Sequence, residues 1–87
     1  MANHASAAKR NRQRIVRTAR NKAVRTRVRN ALRKAREAIA AGDAAAAKEP
    51  VQDASILIAR AASKGVLHKK TASRTISRVQ SALSKLG

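Results

Sequence analysis

Residues 1–36 carry thirteen Lys and Arg and not one Asp or Glu. Self-repulsion at this density opposes compaction, and it draws the chain strongly toward polyanions. A merely solvated helix face normally mixes Glu with Lys, so a run of cations this pure points to a phosphate partner. The rest of the chain is charged differently. Residues 37–63 hold all four acids (Glu37, Asp43, Glu49, Asp53) with only Lys48 and Arg60, a net of −2, and residues 64–87 return to +6. The whole chain reaches +17 with a pI near 12.0. The two ends are therefore expected to face the polyanion, and the acidic middle to face away.

Apolar material is scarce. Sixteen Val, Leu and Ile and no aromatic residue must supply the core, and Ile15 and Val16 lie in the Arg-rich stretch. A core this thin leads us to expect a partner that stabilises the fold. No segment alternates with period two, whereas helical spacing occurs three times. The first helix is expected from Ser6, a usable N-cap, to Ala41, with Gly42 as its stop. Asp43 caps a second helix that ends at Gly65, and a third runs from His68 or Thr71 to Leu86. Ala47, Val51, Ala54, Ile58 and Ala61 form a 4-3-4-3 stripe on helix two, and Ala72, Ile76, Val79, Leu83 and Leu86 form another on helix three. Ile56 and Leu57 lie off the stripe, so helix two is expected to be buried across a wide angle. Pro50 sits inside helix two and should kink it.

Helix one joins two different objects. Val24, Val28, Ala31, Leu32, Ala35, Ala38 and Ile39 share one face, with Arg25, Arg27, Arg29, Arg33, Lys34 and Arg36 around the rest. Before Val24 the same face carries Arg10, Arg14, Arg17 and Arg20. The expected architecture is all-α, a three-helix bundle over residues 24–87 whose long first helix extends as a basic N-terminal arm over residues 1–23. Like-charge i,i+4 pairs such as Arg10/Arg14 and Arg25/Arg29 weaken an isolated helix by about 0.2–0.5 kcal/mol each. The arm should fray when free and become helical on its ligand.

Several function classes fall away. There is no Cys, hence no disulfide framework and no Cys-based metal site. No apolar run approaches the ~20 residues that span a bilayer. The Arg-rich start is similar to a transit peptide, but removing it would leave residues 37–87 with little core. No catalytic constellation, cofactor motif or metal cluster is evident, and His4 has no partner that suggests a metal. Enzymatic activity is not expected. Without aromatic residues the chain lacks the stacking platforms of single-strand readers. Its cations suit phosphate and 2′-OH contacts along folded RNA. Candidates from charge and placement are Arg10, Arg14 and Arg17 on the arm, and Lys70, Arg74, Arg78 and Lys85, with Ser81 among them, on the outer face of helix three. His68, beside Lys69 and Lys70, either caps its own helix or donates to a phosphate.

Taken in order, Met1-Ala2-Asn3, Ser6-Ala7, Lys9-Arg10, Asn21, Arg25, Arg29, Lys34, Ala41-Gly42-Asp43 and Lys64-Gly65-Val66-Leu67-His68-Lys69 through Ala72, Arg74 and Ser77-Arg78 form a specific pattern. It resembles bacterial small-subunit ribosomal protein family twenty, the bS20 family, over essentially the whole chain. The resemblance implies a three-helix bundle that binds small-subunit (16S) rRNA directly, near the bottom of the subunit body. It also implies an early role in 30S assembly, a cytoplasmic location and a single copy within the ribosome. It places RNA contact on Ser6, Lys9, Arg10, Asn21, Arg25, Arg29, Lys34, His68, Lys69, Arg74, Ser77 and Arg78. Lys70, where the family usually has Asn, and Pro50 depart from its pattern. The competing expectation is a histone-like, DNA-compacting protein. A membrane-active peptide fares worse, because the arm offers only Ile15 and Val16 as large apolar residues.

Overall fold

Two glycines with positive φ, Gly42 (+83°) and Gly65 (+79°), divide the chain into three helices. A computed structural model describes the backbone of residues 2–86 and the side chains of residues 6–86. The helices are α1 (Ala2–Ala40), α2 (Ala44–Ser63) and α3 (Lys69–Leu86), with no strand among the described residues. None is long and apolar enough to cross a membrane. The molecule measures 65 × 20 × 13 Å.

Local chemistry sets each boundary. Asp43 Oδ1 accepts from the amides of Ala45 (3.1 Å) and Ala46 (3.3 Å), so α2 starts at the alanine run. Its other end closes with the Gly65 amide on the Ala62 carbonyl (3.0 Å) and the Val66 amide on Ala61 (2.9 Å). That is the Schellman arrangement, and it requires the left-handed backbone that Gly65 adopts. It also turns Val66 inward, where it is buried with Ala61 and Ile58. α3 is capped by His68, whose ring Nδ1 accepts from the Lys70 amide at 3.1 Å.

One boundary differs from expectation. Ser6 lies within α1, which begins at Ala2. Alanine is the strongest helix former, and Ala5, Ala7 and Ala8 surround the serine. Local propensity there outweighs the cap signal.

The helical spacings translate directly into burial. All five residues of the α2 stripe are buried and supply half of the ten-residue core. α1 adds Val28 and Ala35, α3 adds Ala72 and Val79, and Val66 comes from the turn. α2 is the spine: α1 and α3 each lean on it more than on one another. Leu57 packs against this core, but Ile56 is 43% exposed, so α2 is buried over a narrower angle than expected. Ile56 points into the open groove between α2 and α3, beside Ile76 and Leu83.

α2 continues through Pro50 as a single helix. Pro50 has no amide to offer the Ala46 carbonyl, a cost of about 3 kcal/mol relative to alanine in a helix interior. Pro50→Ala is therefore expected to raise the urea midpoint, by about 1–3 kcal/mol in stability. Gly65→Ala should do the reverse. Nothing lies within 4 Å of an added Cβ, so the loss of about 1–2 kcal/mol comes from backbone strain alone. Urea denaturation of the two variants beside the parent chain checks both.

Candidate nucleic-acid interface

At ~1.5 Å per residue, α1 is about 58 Å long and its partners about 27–30 Å. The excess carries the arm. Every residue from 6 to 20 is exposed; Asn21 and Val24 are half-buried, and Val28 is the first buried residue. Ser6, Lys9, Arg10, Arg14 and Arg17 thus lie on a rod that touches nothing else in the protein. The side chain of His4, a residue with no expected role, lies outside the described residues.

The cations of α1 are arranged differently along its length. At ~100° per residue, Arg10, Arg14, Arg17 and Arg20 continue the line of the core face. Past residue 21 that line is occupied by Val24, Val28 and Ala35, and the cations take the flanks and back of the helix. There Lys22, Arg25 and Arg29 gather with Thr18, Asn21 and Thr26 around a shallow concavity. Arg29, Arg33 and Arg36 extend the same basic stripe toward the Gly42 turn. Lys22, Arg33 and Arg36 are additions to the residues expected to touch RNA. The 3-4-4-3 spacing of Lys22, Arg25, Arg29, Arg33 and Arg36 is the signal that could have found them.

α3 presents a second basic surface. Lys70, Arg74, Ser77, Arg78, Ser81 and Lys85 lie on the side away from Ala72 and Val79, with the cations exposed. Lys69 stands slightly apart, sharing the α2–α3 groove with Ser77. Because His68 Nδ1 accepts from a backbone amide, the neutral ring carries its proton on Nε2. The cap and the donor readings of His68 are thereby compatible: one nitrogen caps the helix while the other is free to donate.

Lys34 falls elsewhere. It lines a groove between α1 and α2 with Arg27, Glu49 and Asp53. The acids of the middle helix are therefore not segregated from the cations, as their sequence positions suggest; packing of α2 against α1 brings them together. Among the described residues the only ion pair is Arg33–Glu37, at 4.0 Å and largely exposed, a geometry worth little. Nearly all the positive charge is therefore uncompensated by ion pairs among the described residues. No cluster of three or more His, Asp or Glu suited to a metal occurs among the described residues.

Comparison with known proteins matches this arrangement to one family. Residues 2–84 match the family described as ribosomal protein S20. The small ribosomal subunit protein bS20 of Anaeromyxobacter sp. (strain K) is 58% identical over 85 residues, covering 98% of this chain and 93% of the relative. That of Desulfotalea psychrophila is 52% identical over 86 residues (99% and 97%), and that of Solidesulfovibrio magneticus 49% over 85 (98% and 96%).

Residues 6–20 make helical hydrogen bonds but bury nothing, and cations in the first turns oppose the helix dipole. Far-UV circular dichroism of the free protein is expected to show less helix than three full elements, rising when RNA or sulfate is added. A fully formed helix through residues 6–23 in the ligand-free protein by NMR would contradict this.

Proposed function

Because the chain belongs to the ribosomal protein S20 family, we propose that it is a structural component of the small ribosomal subunit that binds folded 16S rRNA through phosphate and 2′-OH contacts. It acts as a single copy within the 30S particle, in the cytoplasm, with no small-molecule substrate, cofactor or membrane partner. Binding stabilises the packing of rRNA segments and assists early assembly of the subunit.

The observation that carries this reading is the placement of cations, all but Arg33 without an ion pair among the described residues, on three separate faces: the arm, the outer stripe of α1 and the outer face of α3. Residues 1–23 serve as the arm and residues 24–87 as the bundle that positions it. A rod with cations all round its tip and, beside the bundle, everywhere but on its core face suits a partner with several strands of phosphate. Folded RNA offers that. The lack of aromatic residues matches recognition of backbone and shape rather than of stacked single strands.

The test is quantitative. With roughly six to ten phosphates neutralised, affinity for small-subunit rRNA should fall about 10³–10⁵-fold between ~50 and ~200 mM salt. Changing Arg10, Arg14, Arg17 and Arg20 to Gln should flatten the log–log salt slope by about one for each phosphate no longer neutralised. The protein should be recovered with small subunits purified at low salt, crosslinking to rRNA from both the arm and α3. A nearly flat salt dependence would sink backbone binding. Equal affinity for duplex DNA, with absence from small subunits purified at low salt, would favour a DNA-compacting protein instead.

A further inference from the structure

Acids are out of place on a surface that binds phosphate, yet Glu49 and Asp53 stand at the edge of one. They lie about one turn apart on α2 and, with Arg27 and Lys34 of α1, line a groove of about 510 Å³. Its apolar lining is Ala31, Pro50 and Leu57, each half-buried. The opposite charges do not close on each other, since the only ion pair among the described residues is Arg33–Glu37. The groove thus holds acceptors, cations and an apolar wall around space in the size range of small-molecule sites.

A carboxylate in this position repels phosphate and accepts hydrogen bonds from N–H and O–H groups. In RNA the best-matched donor is the Watson–Crick edge of guanine. Its N1–H and N2–H lie side by side and fit the two oxygens of one carboxylate. Adenine and cytosine set a ring-nitrogen acceptor beside the amino group, and uracil flanks its N3–H with two carbonyls, so each opposes a carboxylate oxygen with a lone pair. The edge must be free, which requires an unpaired base; RNA loops and bulges supply these. Arg27 and Lys34 are positioned for the flanking phosphates, and the apolar wall for the face of the base.

We propose that the α1–α2 groove binds an unpaired guanine of the rRNA, held by the carboxylates of Glu49 and Asp53. This rests on the proposed rRNA binding and adds to it one base-specific contact on a surface otherwise made for the backbone.

The test uses the full chain, its Asp53→Asn and Glu49→Gln variants, and deproteinised small-subunit rRNA. Both side chains are exposed, and unchanged circular dichroism and thermal melting confirm that the variants fold. Kethoxal, which attacks guanine at N1 and N2, reports the edge in question. The parent chain is expected to protect a guanine, and the variants to lose that protection and about tenfold in affinity, with the salt slope unchanged. If the acids merely repel RNA, neutralising them tightens binding instead. Equal or tighter binding by both variants, or no carboxylate-dependent protection, overturns the guanine site alone. Failure of the parent chain to bind rRNA in a salt-sensitive way overturns the proposed function, and this inference with it.

Discussion

Uncompensated positive charge is the constraint on which the rest of the molecule depends. With +17 on 87 residues and one weak ion pair among the described residues, the chain cannot gather its cations around a core. It spreads them along the longest, thinnest object that a helix provides. The same repulsion that keeps residues 6–20 away from the bundle leaves them available to a polyanion. Under the proposed function, folding and binding are governed by one electrostatic effect that changes sign when phosphate arrives.

The bundle exists to hold that rod against a second basic surface. α2 is nearly all core on one side, and small: three of its five buried residues are alanines. Alanine permits close approach of helix backbones, so a few Val and Ile residues suffice to fill what remains. The Gly65 turn does two jobs at once. It stops α2 and buries Val66, and it brings the chain to His68, which caps the helix bearing Arg74 and Arg78.

Much of this was legible in the sequence, for reasons that differ by element. Gly42, Gly65 and Asp43 each do something that few residue types can do, so single positions located the turns. The α2 stripe was readable residue by residue because 4-3 spacing maps directly onto one helix face. Ser6 misled because a cap signal embedded in alanines has no competing reason to end the helix. Ile56 misled because hydrophobicity does not reveal on which side of a helix its neighbours stand. The meeting of Lys34 with Glu49 and Asp53 was not legible at all. It depends on the register between α1 and α2, which is set by packing and leaves no spacing signal within either segment.

The handover of the core line from Arg10, Arg14, Arg17 and Arg20 to Val24 and Val28 makes α1 a phase standard as well as a strut. Its two basic stripes share one continuous set of backbone hydrogen bonds, so their angular offset is fixed by the number of residues between Arg20 and Lys22. Adding or removing one residue there would rotate one stripe against the other by ~100° while changing the length by only ~1.5 Å. The same change ahead of Lys9 would rotate no Lys or Arg side chain. Length in the middle of the helix is therefore constrained by angle, and length at its tip is not.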